Sequence, residues 1–260
     1  MKQRMRFSIA VTVLALSPSV GMSQGAPGTN LAVDVRVTAV TMRGETTQVT
    51  YVLRNAPTSA EQLFRFVVEA PAPVVRIWRP EPRGDWVAYT NYAFRSVARW
   101  AVLGEEMAPG DESPPLVFEA IGLPAIVTSS VRGYTPLSTD IPSDTLPMPV
   151  LEVVPDSTVG VEPFPTDGSA GNLLSRLHLL LDQACGTALA WITSSTVCTS
   201  LGGKLDTASQ RLSQADTAGA ETQIQSFLTE LEAQHGTGLP VNDSAYWLLK
   251  VNAEYILGRL

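Results

Sequence analysis

The 260-residue chain carries few side chains able to do chemistry. His178, His235, Cys185 and Cys198 are its whole supply of imidazole and thiol. A Ser-His-acid nucleophile would have to use one of those histidines, and no G-x-S-x-G turn is present. His178 lies among leucines in "RLHLLLD", the setting of a helix-face histidine. His235 precedes Gly236, where a cation complements a helix C-terminus. A structural zinc site needs four clustered Cys or His ligands, so no metal centre is expected. H-E-x-x-H, P-loop and G-x-G-x-x-G patterns are absent. "PTDGSAGN" (165–172) holds one acid and suits a turn and helix cap better than a calcium loop. "LGGK" (201–204) lacks the preceding glycine and strand of a phosphate loop and reads as a loose helix start. No cofactor is implied.

Carboxylates and aromatic rings remain. Glu105, Glu106, Asp111 and Glu112 cluster in "VLGEEMAPGDES", where solvated loop acids are expected. A glycosidase would need two of them at a fixed separation that only the fold can set. Trp78, Trp86, Tyr89, Tyr92, Phe94 and Trp100 crowd together with Arg76, Arg79, Arg83, Arg95 and Arg99. Exposed rings beside arginines suit carbohydrate or protein contacts, which makes Trp78, Trp86 and Tyr89 the candidate binding residues. The competing reading places Trp78, Trp86 and Trp100 in the core, and strands of this composition favour it.

The elements that must position these side chains fall into two kinds. From 31 to 134 the pattern has period two. "LAVDVRVTAV" puts Val33, Val35, Val37 and Ala39 on one face, and "LFRFVVEA" alternates Phe64, Phe66 and Val68. Further short strands follow at "QVTYVLRN", "VVRIW", "WVAY", "SVARWAVL", "LVFEA" and "IVTSSVRGY", punctuated by Pro and Gly, as in an antiparallel sandwich. Residues 135–170 are rich in proline and read as an extended, semi-rigid linker, with "PVLEVVP" able to add one edge strand. From 171 to 260 the period becomes helical, in segments at 171–192, 200–216 and 217–236, the third with Thr217 as a possible cap. A fourth begins near Asn242, Asp243 or Ser244. The expected architecture is α+β in two domains, a sandwich (31–134) and a small antiparallel helical bundle (171–260).

The last segment, "NDSAYWLLKVNAEYILGRL", raises the question of what covers it. Ala245, Leu248, Leu249, Asn252 and Ile256 share one face, and Trp247, Val251 and Tyr255 a second. Lys250, Asn252 and Glu254 would be expensive in lipid, so burial inside the bundle is expected rather than a membrane tail. Cys185 and Cys198 read as a disulfide that closes a short loop and contributes about 3 kcal/mol. Free thiols or half a metal site are the alternatives.

The N-terminus reads as an export signal over residues 1–23. Lys2, Arg4 and Arg6 precede the apolar "FSIAVTVLAL", which is shorter than the about 18 residues of a bilayer span. Removing those three positive charges would take the net charge from −7 to −10. Phosphate backbones would be repelled by such a chain, so nucleic acid is not an expected partner. An exported location (periplasm, cell surface or medium) also fits a disulfide.

The stretch from "LGGKLDTASQRL" through "IQSFLTEL" to "SAYWLLKVNAEYIL" resembles the FIMAH-type helical module of exported prokaryotic proteins. The likeness rests on the spacing of Leu205, Ala208 and Leu212, the Gly-bearing loop and the Ala-rich last helix. It implies a surface or secreted setting and no active site. "YVLRN" with "FRFVV", and "MAPGDES" before "LVFEA", resemble bacterial immunoglobulin-like domains more weakly. The expected function is therefore an exported, non-catalytic interaction or scaffold protein, with an envelope protein or a glycan as partner. A carbohydrate-binding module is the second reading, and a small hydrolase using loop carboxylates the third.

Overall fold

Period-two alternation over the first half yields strands, and the computed structural model describes them within residues 30–80, 86–91, 95–104, 106–134 and 151–260. Residues 1–23 (expected to be an export signal), Arg83, Tyr92, Phe94, Glu105 and residues 135–150 of the expected linker lie outside the described residues. Among the described residues, nine strands precede four helices. They are β1 (Val33–Arg43), β2 (Thr46–Asn55), β3 (Gln62–Glu69), β4 (Val74–Ile77), β5 (Trp86–Tyr89), β6 (Val97–Val102), β7 (Leu116–Ile121), β8 (Leu123–Tyr134) and β9 (Leu151–Glu162). One sheet has the order β1-β2-β7-β4 and the other β5-β6-β3-β8-β9, with every pairing antiparallel.

The apolar faces of the two sheets meet around Tyr51. Its ring stacks with Phe118 of its own sheet at 6.2 Å and meets Phe66 and Trp100 of the other edge-on, at 5.3 and 6.2 Å. The Tyr51 hydroxyl donates to the Val159 carbonyl at 2.5 Å, which satisfies a group that would otherwise be costly to bury. Full burial pushes its pKa well above the ordinary tyrosine value. Gly122 alone separates β7 from β8, which belong to different sheets. Its φ is +147°, and a Cβ there would stand 1.9 Å from the Glu162 carbonyl oxygen, so only glycine turns this corner.

Two bulges shift the alternation read from the sequence. Between Val37 and Ala39 the β1–β2 register slips, so that Val40 rather than Ala39 enters the core. A second slip between Leu63 and Arg65 turns Leu63 inward and leaves Phe64 only partly buried, against Tyr134. The proline-rich span contains a full strand. β9 pairs with β8 over twelve residues at the sheet edge, where Pro155 withholds no ladder donor that a further strand needs.

The helices are α1 (Ala170–Cys185), α2 (Ser195–Ser213), α3 (Thr217–Ala233) and α4 (Asp243–Leu257). Ser169, Ser194, Asp216 and Asn242 are their N-caps, each side chain accepting a backbone N–H of the first turn. Asp216, not Thr217, thus starts α3. Helix α1 stops at Cys185, short of 192, with Gly186 following. Helix α2 begins at Ser195, ahead of "LGGK", whose two glycines lie inside it. The Cys185–Cys198 disulfide joins the end of α1 to the second turn of α2.

Helix α4 has more neighbours than a bundle alone supplies: it packs against α1 and α3 and also against β1, β8 and β9. Arg176 of α1 anchors this junction. Its Nε donates to Glu162 at 2.6 Å, its Nη2 to the Pro124 carbonyl at 2.8 Å, and its Nη1 to Asn252. Asn252 is buried and donates to the same Pro124 carbonyl at 3.0 Å. Its place on the apolar face of α4 is explained by that bond. Leucines of the helices and valines of the strands belong to one continuous apolar core.

Candidate functional site

Register places an arginine cluster on the outer face of the five-stranded sheet. Arg65 of β3 stands opposite Arg132 of β8 on one side and Ala101 of β6 on the other. Two residues along, Val67 stands opposite Arg99 of β6, and Arg99 in turn opposite Tyr89 of β5. Tyr89, Arg99, Arg65 and Arg132 therefore occupy four successive strands within two rungs, a span of about 14 Å at the usual strand spacing. Their neighbours in sequence, Phe66, Ala98, Trp100 and Val131, all point into the core, and this fixes the arginines outward.

What sets the cluster apart is that Arg65 faces a like charge, Arg132, across the strands. Among the described residues none of the three arginines has a carboxylate in ion-pair contact, a state shared with Arg43, Arg54, Arg76, Arg95 and Arg259, while Arg36, Arg176, Arg211, Lys204 and Lys250 each have one. The Nε atoms of Arg65, Arg99 and Arg132, like that of Arg36, are shielded from water and find no hydrogen-bond acceptor. Arg65 rests over the Phe64 ring at 5.4 Å, and that ring lies 5.8 Å from Tyr134. Burial, followed by the hydrogen bond and charge of Glu106, raises the Tyr134 pKa above the ordinary tyrosine value.

The outer face of the four-stranded sheet is built differently. Arg36 meets Glu112 at 2.7 Å and Asp34 at 3.7 Å, Asp34 stands opposite Arg54, and Arg76 stands opposite Glu119. Burial raises the Asp34 pKa, and the nearby Arg36 and Arg54 only partly offset it.

The three candidate binding residues separate. Trp86 points inward and is 6% exposed, as Trp100 is fully buried. Trp78 is partly buried, with the Arg76 guanidinium 4.8 Å over its ring, and its carbonyl accepts from Trp100 Nε1 at 3.4 Å. Tyr89 alone is exposed, at 37%, and it lies beside Arg99. The loop acids also disperse. Asp111 accepts from the Ala108 N–H at 2.8 Å, Glu112 pairs with Arg36, and Glu106 bonds Tyr134. Arg65 and Arg132 were not legible as site residues, because only the register brings them together with Arg99.

The histidines hold structural positions. His178 lies 3.4 Å from Asp182 and 3.2 Å from Asp206, tying α1 to α2. His235 meets Asp243 at 2.7 Å and stacks on Tyr246 at 3.9 Å, so it joins α3 to α4 rather than acting at one helix end only. Tyr246 bonds Glu232 and accepts from Lys250 at 2.8 Å, and burial together with Glu232 raises its pKa. These groups border a shallow α3–α4 groove of about 480 Å³ that Leu228 and Leu231 also line. Among the described residues no group of three or more His, Cys, Asp or Glu side chains is placed to hold a metal ion, and no helix is long and apolar enough to cross a membrane. No protein-family model matches the sequence, and no curated protein matches it significantly.

Proposed function

We propose that this chain is an exported, non-catalytic interaction protein that binds its partner through the outer face of its five-stranded sheet. The observation that carries the reading is the set of three arginines, two of them directly opposed across the strands, beside an exposed tyrosine. Sheets that bury one face present the other for contact, and a surface patch with unspent donors and a ring is suited to recognition. On this reading the nine strands are an immunoglobulin-like sandwich, and the four helices are a FIMAH-like module appended to it through β9. Export is supported by the apolar leader over residues 1–23 and the disulfide. The dispersal of Glu106, Asp111 and Glu112 among separate partners argues against a carboxylate pair at work.

The carbohydrate-binding reading is favoured within this frame by Tyr89 alone, since Trp86 fills the core. The test is retention without turnover. The full chain is passed over immobilised neutral and acidic polysaccharides while released reducing ends are assayed. Retention that Tyr89→Ala weakens, with no released ends, is the expected result. Release of ends that Glu106→Gln abolishes would establish the hydrolase instead.

A further inference from the structure

Arg65 and Arg132 are a directly opposed cross-strand pair of like charge, and Arg99 stands one rung away. Such pairs destabilise a sheet, and on the other sheet the register sets arginine against acid instead, Arg54 opposite Asp34 and Arg76 opposite Glu119. Net charge does not explain the cluster either, for the chain as a whole is at −7. A local positive field on an acidic protein, maintained at a cost in stability, points to a negatively charged ligand that is absent from the free molecule.

The shape of the patch narrows the class. The three arginines sit on interior strands of the sheet, flanked by β5 and β9, so a peptide ligand finds no free strand edge for backbone pairing there. Guanidinium groups offer planar forks that receive carboxylate or sulfate oxygens in pairs, with Nε as one of the two donors. Small rotations about the outer side-chain torsions would turn the shielded Nε–H groups toward such an oxyanion. Tyr89 at one end of the row, and the Phe64–Tyr134 pair at the other, add flat apolar surfaces of the kind on which sugar rings rest. Resting on the interaction-protein reading above, we propose that Tyr89, Arg99, Arg65 and Arg132 form a site for an acidic polysaccharide whose carboxylate or sulfate groups the arginines receive.

The test is affinity electrophoresis of the full chain in native gels containing polygalacturonate, dextran sulfate, neutral dextran or poly-glutamate. Retardation is expected in one or both acidic polysaccharides and not in dextran, and the one that retards identifies carboxylate or sulfate as the preferred group. Raising salt should weaken it strongly, since exposed charge contacts are screened within about 10 Å at 0.1 M. Combined Arg65→Gln, Arg99→Gln and Arg132→Gln substitution should reduce affinity at least about tenfold, each lost charge-assisted contact carrying a substantial share. Arg36→Gln on the opposite sheet should leave it unchanged. Ser130→Glu, which keeps all three arginines and sets a carboxylate beside them, should abolish binding as well and guards against a folding defect in the triple variant. Equal retardation in dextran, or binding that survives both the triple variant and Ser130→Glu, overturns the site. Tighter, arginine-dependent binding of poly-glutamate would assign the face to an acidic protein, overturning the polysaccharide while leaving the interaction reading intact.

Discussion

The outer faces of the two sheets use arginine in opposite ways. On the four-stranded sheet Arg36 has two carboxylates in reach and Arg76 faces Glu119. At the helix junction Arg176 spends its donors on Glu162, Asn252 and the Pro124 carbonyl. The five-stranded sheet instead sets Arg65 directly opposite Arg132, with Arg99 one rung away. Register thus sets arginine against acid on one sheet and arginine against arginine on the other. On the proposed reading, the like-charge set is the recognition face.

That contrast can be broken in order of effect. Arg176→Met should cost the most, about 3 kcal/mol in urea unfolding, because Glu162 and Asn252 lose their partner in a largely buried junction. Since the apolar core is continuous from sheets to helices, the loss should appear as one shifted transition rather than two. Arg132→Gln should do the reverse and stabilise by roughly 0.2–1 kcal/mol, as it relieves a like-charge pair. Arg36→Gln should lower stability by up to about 1 kcal/mol, the scale of an exposed ion pair, and high salt should shrink the loss. The opposite signs of the last two are the sharpest expression of the contrast, and equal signs would remove it.

The smallest effect concerns Asp34. Its folded pKa is raised, chiefly by burial, so ionisation costs stability that the protonated form keeps. The stability it supports is present below the ordinary aspartate pKa and fades as pH rises through the folded value. Asp34→Asn should therefore give a slightly higher Tm at neutral pH, with the gap closing as the solution is acidified through the aspartate range.

Much of the fold was legible in the residues. The eight strands up to Tyr134 followed from alternation and the four helices from their apolar stripes, though the cap of α3 is Asp216 rather than Thr217 and α1 ends at Cys185 rather than 192. Local pattern missed the bulges after Val37 and Leu63, since one inserted residue reverses facing without changing composition. It also undervalued β9, where Pro155 and its neighbours read as spacer, although an edge strand tolerates proline. The α4 helix was seen to need cover from its own chain. That the sheets supply part of that cover depends on Asn252 reaching Pro124, a contact between positions far apart in the chain. The candidate site was the least legible part. Tyr89 and Arg99 stood in the aromatic-rich stretch, but their proximity to Arg65 and Arg132 arises only once β5, β6, β3 and β8 lie in register.

The central claim is that the like-charge arginines of the five-stranded sheet form the binding face. An NMR titration of the arginine Nε–Hε resonances with an acidic oligosaccharide tests it most directly. Arg65, Arg99 and Arg132 should shift together and saturably while Arg36 and Arg176 stay in place. Movement confined to Arg36 and Arg176, or no movement at any arginine under conditions where the polysaccharide is bound, would contradict it.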